Sequence, residues 1–208
     1  MEDFGLYVIL TRPRLGHERV AEICVEKGIK MLQLREKQMP DGELLRLACR
    51  LRAITAGTQT KLVINDRPDI AALCGADGLH LGQDDMPYEQ ARRNVGPDMA
   101  IGLSTHSLAQ VRAAMALNPA YIGFGPVWPT PAKAVPDAAV GTAQLAEVLR
   151  TATVPVVAIG GIFPENVGEI IAAGARNMTL VRHLMDTDDL ARRIEALQAA
   201  LNVNKNLY

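Results

Sequence analysis

Residues 61–82 read KLVINDRPDIAALCGADGLHLG, and this stretch decides the fold. A short apolar run, KLVIN (61–65), is followed by a segment with a helical period (67–75) and then by a second short run, GLHLG (78–82). Short β-rich runs alternating with helical segments predict parallel strands joined by crossover helices. The same alternation continues in both directions. Upstream stand GLYVIL (5–10) and KMLQLR (30–35), with helical segments at 16–28 and 40–57. Downstream stand AIGLS (100–104), AYIGFG (120–125), PVVAIG (155–160) and MTLV (178–181), with helical segments at 87–95, 107–118, 142–152, 164–174 and 186–201.

Eight strand–helix pairs predict an α/β chain folded as a single (β/α)8 TIM barrel over residues 1–208, at the compact end of the usual range of about 200 to over 400 residues. An open doubly wound sheet is the alternative, but no GxGxxG follows the first strand and no P-loop is present. There is no repeat beyond the alternation itself, and the tail NVNKNLY (202–208) reads as a polar, frayed end.

Composition narrows the function. Hydrophobic residues make up 49% and charged residues 22%, as in ordinary soluble chains. The formal net charge is −1 and the basic residues are spread along the chain, so no footprint for nucleic acid exists and any basic site must be small and local. Cys24, Cys49 and Cys74 show no CxxC spacing, which fits reduced thiols used in packing in a cytoplasmic protein. The N-terminus MEDFG has no apolar signal core, and the most apolar run, VPVVAIGGIF (154–163), is too short to span a bilayer. The oligomeric state is not readable, and a homo-oligomer stays open.

In a barrel of this kind the loops at the carboxyl ends of the strands build the site. The second strand ends QLREK, whose period of two sends Gln33, Arg35 and Lys37 to one side and Leu34 and Glu36 to the other. A guanidinium fork beside a lysine point charge suits phosphate oxygens, although charged strand ends are also common on plain surfaces. The third strand ends in Asn65-Asp66, and the fourth is followed by Asp84 and Asp85. Carboxylates at adjacent strand ends can share Mg2+, which takes one or two carboxylates and completes its shell with water and phosphate oxygens; either could instead be a loop residue or a helix cap. Ser104 reads as a ligand contact, His106 as structural and His80 as core or barrel-lining, and no convincing third member completes a nucleophile triad. Gly160-Gly161 leave room for a ligand near the backbone at a recurrent phosphate site of this fold, with a simple tight turn as the plainer reading. Residues 124–141, with four prolines, form a long connection that reads as a binding loop or lid rather than a linker. Arg35, Lys37 and Lys133, with a metal offset by Asp66 and Asp85, would balance a pyrophosphate of roughly −3 and stabilise it as it departs.

QLREK, IND, ADGLHLGQDD, IGLSTH, YIGFGPVWPTPAK, PVVAIGGI and AGA stand in the order and spacing of the thiamine phosphate synthase family, which includes the TenI-like thiazole tautomerases, and the chain resembles that family from Leu6 to about residue 190. The resemblance implies a TIM barrel that joins a pyrimidine pyrophosphate to a thiazole phosphate with Mg2+: the pyrophosphate ester ionises and the thiazole nitrogen traps the methylene cation. Carried over by position, Arg35, Lys37, Asn65 and Lys133 resemble pyrophosphate contacts and Asp66 and Asp85 metal ligands. Gln33 and Ser104 resemble pyrimidine contacts, and Thr130, Gly161, Val181 and Arg182 fall where the thiazole phosphate is held. Three positions depart from the pattern: the TxTK lid reads Thr130-Pro131-Ala132-Lys133, the ADG before the last strand reads Ala175-Arg176-Asn177, and Arg182 replaces a frequent serine. All three put the thiazole side in question. A tautomerase is the first rival, though Pro126 stands where its histidine would follow the strand-six glycine; a non-catalytic thiazole-phosphate-binding barrel is the second.

Overall fold

A computed structural model describes residues 2–130 and 137–205. Its strands are β1 (Tyr7–Leu10), β2 (Met31–Leu34), β3 (Lys61–Asn65), β4 (Gly78–Leu81), β5 (Ala100–Thr105), β6 (Tyr121–Phe124), β7 (Val156–Ala158) and β8 (Asn177–Met178). They pair in parallel in sequence order, and a bridge between Leu6 and Met178 joins the last strand to the first. The open-sheet alternative is thereby ruled out. The helices are α1 (His17–Glu26), α2 (Asp41–Thr55), α3 (Pro68–Cys74), α4 (Tyr88–Val95), α5 (Leu108–Ala116), α6 (Gly141–Thr151), α7 (Val167–Ala172), α8 (Val181–Met185) and α9 (Leu190–Lys205). No helix among the described residues is long and apolar enough to cross a membrane.

Strand periodicity sorts the side chains. Val8, Leu32, Ile64, Leu79, Ile101 and Ile122 face the helices and join one large apolar cluster with the inner faces of the helices. Tyr7, Met31, Val63, Tyr121 and Val157 point inward and, with Phe4, plug the amino-terminal end of the bore. The bore is filled at that end, and the opposite mouth is the face where this fold builds its sites.

Three expectations need correction. First, β8 covers only Asn177–Met178, and Val181 opens the short helix α8 rather than ending a strand. The Arg193 guanidinium donates to the carbonyls of His183 and Asp186, satisfying the end of α8 and separating it from α9. Second, helix reaches into the segment expected to be frayed, as far as Lys205, and 206–208 lie outside the described residues. The stripe Leu190, Ile194, Leu197 and Leu201 is buried, and α9 continues through Lys205. Third, Cys24 and Cys74 are buried but Cys49 is exposed, so only two of the three cysteines pack.

Candidate active site

The carboxyl ends of β2, β3 and β4 bring three predicted residues together. Arg35 N donates to Leu10 O (2.9 Å), prolonging the β1–β2 ladder by one residue past its end. Beyond it Lys37 Nζ lies 2.8 Å from Asp66 Oδ2. Glu36 turns the other way and bonds His17 Nε2 at 2.8 Å. Asp66 adopts a left-handed φ of 62°, a conformation Asp tolerates better than most residues, and its backbone N–H donates to His80 O (2.8 Å). The capping alternative for Asp66 does not hold: the N-cap of α3 is Arg67, and no side chain caps it.

Asp85 accepts a bond from Gly82 N (2.6 Å), which turns its carboxylate back over the end of β4. Burial pushes the Asp85 carboxyl above its ordinary range, and the hydrogen bond and like charge of Asp66 push it in the same direction. Neighbouring carboxylates that disfavour each other's charge are relieved by a proton or a cation, and Lys37 already brings one ammonium to Asp66. The carboxylate donor set, all oxygen and from adjacent strands, fits a hard divalent ion that takes two protein carboxylates. Asp84 is exposed at the next turn.

Below the mouth runs a chain of side-chain hydrogen bonds. Gln33 Nε2 donates to Tyr7 Oη (2.8 Å), Tyr7 Oη meets Tyr121 Oη (2.7 Å), Tyr121 Oη meets His80 Nδ1 (3.0 Å), and His80 Nε2 meets Ser104 Oγ (2.9 Å). Burial holds both tyrosine hydroxyls above their ordinary pKa and pulls the His80 imidazole down to about 4. Sequence reading placed His80 in the barrel lining but singled out neither tyrosine. Thr179 Oγ1 is a buried side-chain polar atom that lacks a hydrogen-bond partner; the residue follows Asn177 by two and so shares its inward side.

On the opposite rim, the loop after β7 and the helix α8 carry the remaining predicted residues. Gly160 and Gly161 have φ of 93° and 68°. On the side where a Cβ would project, both glycines are covered: a Cβ on Gly160 would lie 2.4 Å from Pro126 Cβ, and one on Gly161 2.6 Å from Trp128 Cβ. These glycines admit the strap 126–128, which is sewn down by Val127 N to Ile159 O (2.9 Å) and Trp128 N to Gly160 O (3.1 Å). Asn166, which sequence reading missed, clamps the loop by accepting from Phe163 N (2.8 Å) and donating to Gly161 O (2.9 Å). Val181 is half-buried, and exposed Arg182 stacks its guanidinium 5.0 Å from the Phe163 ring centroid. Thr130 is half-buried at the last described residue before 131–136, and Lys133 lies outside the described residues. His106 bonds Gly125 O through Nδ1 (2.5 Å) and faces Asp137 through Nε2 (3.7 Å), tying the stems of this loop to β5. Asn177 turns toward the amino-terminal end, where it bonds Phe4 N, so the departure at that position concerns barrel closure and not the thiazole side.

A closed parallel barrel with cationic and carboxylate groups gathered at the carboxyl ends of its strands defines a TIM-barrel enzyme working at that face. The profile of the family described as thiamine monophosphate synthase matches residues 6–184. The thiamine-phosphate synthase of Pelotomaculum thermopropionicum is 40% identical, over 91% of this chain and 86% of that protein. That of Anaeromyxobacter dehalogenans is 37% identical, over 97% and 89%. The solved thiamine phosphate pyrophosphorylase from Pyrococcus furiosus superposes with a TM-score of 0.87 at 29% identity, covering 97% of each chain. The chain belongs to the thiamine monophosphate synthase family. Its activity is that of a transferase in thiamine biosynthesis, forming thiamine phosphate.

Proposed function

We propose that the mouth binds a pyrimidine pyrophosphate and a thiazole phosphate and joins them with release of pyrophosphate. The observation that carries this reading is the juxtaposition of Lys37, Asp66 and Asp85 at the ends of three neighbouring strands. Arg35, Lys37 and Asn65, with Lys133 from the loop, are the proposed pyrophosphate contacts. The positive charge of Arg35, Lys37 and Lys133 favours the leaving group most when the carbon–oxygen bond to the pyrimidine methylene breaks and the diphosphate gains negative charge. The electron pair of that bond leaves with the diphosphate. The thiazole nitrogen then supplies its lone pair to the methylene carbon. No covalent nucleophile on the protein is required.

Asp66 and Asp85 are the proposed ligands of Mg2+, which when bound neutralises charge on the diphosphate oxygens. Gln33 and Ser104 face the pyrimidine from below, and Thr130, Gly161, Val181 and Arg182 are assigned to the thiazole phosphate. Arg182 serves a phosphate as a planar donor where a smaller hydroxyl would give a single bond. We assign to residues 124–141, of which 131–136 lie outside the described residues, the role of a loop that screens the reacting atoms from water. We place this chemistry in the cytoplasm on a single-domain barrel of 208 residues; the three free thiols support that compartment.

Pyrophosphate release is measured with both heterocycles, with and without Mg2+. Coupled thiamine phosphate and pyrophosphate are expected only with the metal. Asp85→Ala and Asp66→Ala should each lower turnover by at least about a hundredfold with an unchanged circular dichroism spectrum. Equal rates in chelator and in magnesium would overturn the metal assignment.

A further inference from the structure

The four bonds from Gln33 to Ser104 admit one consistent direction. Gln33 Nε2 is a donor only, so Tyr7 Oη accepts at that end. The hydrogen of the fully buried Tyr7 hydroxyl then has one partner left, Tyr121 Oη at 2.7 Å. Were Tyr121 to donate to Tyr7 instead, the hydrogen of the buried Tyr7 hydroxyl would be left without a partner, at a cost of roughly 1–3 kcal/mol. Tyr121 therefore passes its own hydrogen to His80 Nδ1 at 3.0 Å. A neutral imidazole that accepts at Nδ1 carries its hydrogen on Nε2, which donates to Ser104 Oγ at 2.9 Å. Ser104 Oγ, being the acceptor in that bond, keeps its hydrogen for the mouth.

We infer that Tyr121 is a positioning residue: it locks His80 as the Nε2–H tautomer and thereby makes the Ser104 hydroxyl a hydrogen-bond donor to an acceptor atom of the bound pyrimidine. The half of this that concerns substrate rests on the proposed contact of Ser104; the half that concerns the tautomer does not. The stacked ring of Tyr121, 5.6 Å from the His80 centroid, holds the imidazole in the plane that both bonds require.

The test is nitrogen-15 NMR of histidine-labelled full-length chain without ligand, which distinguishes the two neutral tautomers by the shift of each ring nitrogen. His80 should be protonated at Nε2. In Tyr121→Phe the lock is gone, and His80 should divide between tautomers. Tyr7→Phe, which removes the upstream donor but keeps Tyr121, should retain Nε2–H. In kinetics, Tyr121→Phe should raise KM for the pyrimidine pyrophosphate about tenfold with a smaller change in kcat, and should add nothing in a Ser104→Ala background. Finding His80 protonated at Nδ1 in the unmodified chain, which needs no variant to fold, overturns the lock. Additive KM effects of Tyr121→Phe and Ser104→Ala overturn the relay to Ser104. A normal KM in Ser104→Ala alone overturns the substrate contact while the tautomer measurement still stands on its own.

Discussion

A Cβ placed on Gly102 would lie 2.2 Å from Tyr121 Cζ, inside the ring itself. Glycine in the middle of β5 is thus the vacancy that Tyr121 fills, and the ring cannot retreat because Phe4 and Tyr7 meet it edge-on at 5.8 and 5.7 Å. Gly102→Ala should cost about 1–3 kcal/mol in urea unfolding. His80 makes a second prediction at this scale. Its imidazole is held at about 4 against an ordinary 6.5, so the unfolded chain binds more protons than the fold between those values. The stability that comes from keeping it neutral is complete above about pH 6.5 and falls as pH drops toward 4, by roughly 3 kcal/mol in all. Unfolding free energies at pH 7.5 and 4.5 should show a steeper loss for the natural chain than for His80→Asn; parallel curves would remove His80 as the cause. Single residues at strand ends, such as Lys37, Asp66 and Asp85, could be picked out from the sequence because charge stands out against apolar runs. Tyr7 and Tyr121 could not. They lie 114 residues apart inside runs that read as ordinary core, and only closure of the barrel brings their hydroxyls together.

At the scale of elements, the eight strands were legible because each is a short apolar run set between helical segments; β1, β2, β4, β6 and β7 were read one or two residues too long at an end, β3 with its observed bounds, β5 one residue short, and β8 three residues past its end at Met178. Of the two helices after β8, α9 was legible as the segment 186–201 but α8 was not: MTLV continues the apolar run past Met178, and nothing local marks that Thr179 N makes a last ladder bond to Ala158 O before the chain turns into α8. The strap 126–128 was likewise hidden. Gly160-Gly161 drew attention as a phosphate loop, yet their positive φ and lack of Cβ are demanded by Pro126 and Trp128 crossing above them. Gly161→Ala should therefore lose about 2 kcal/mol or more, from the left-handed conformation and from contact with the Trp128 carbonyl oxygen at 2.8 Å. Gly168→Ala is the control. It sits exposed in α7 with open space around its Cβ position and should be neutral or stabilising by up to about 1 kcal/mol. Differential scanning calorimetry of the pair decides it: equal melting temperatures would mean that the strap yields to a methyl group.

For the whole molecule, the barrel is as strong as its seam, and the seam lies between the first and last strands. β8 contributes only two residues, so the backbone supplies little there beyond the Leu6–Met178 bridge and Met178 N to Gly5 O at 3.1 Å. Asn177 makes up the difference. Its Oδ1 accepts from Phe4 N (2.7 Å) and Gly5 N (3.0 Å), and its Nδ2 donates to Asp3 Oδ1 (2.8 Å), so one buried amide ties together chain segments more than 170 residues apart. Replacing it by alanine strands the Phe4 N–H in a buried site and removes a side chain that a two-residue strand cannot replace. Asn177→Ala should lower the unfolding free energy by roughly 2–3 kcal/mol. Because a parallel barrel shares its hydrogen bonds around the ring, the damage should also be local first: amides of Leu6 to Val8 and of Met178 should exchange with solvent faster than those of β4 and β5, which lie across the barrel. Uniform acceleration of all strands would show that the ring opens only as a unit, and unchanged exchange would show that apolar packing alone holds the seam.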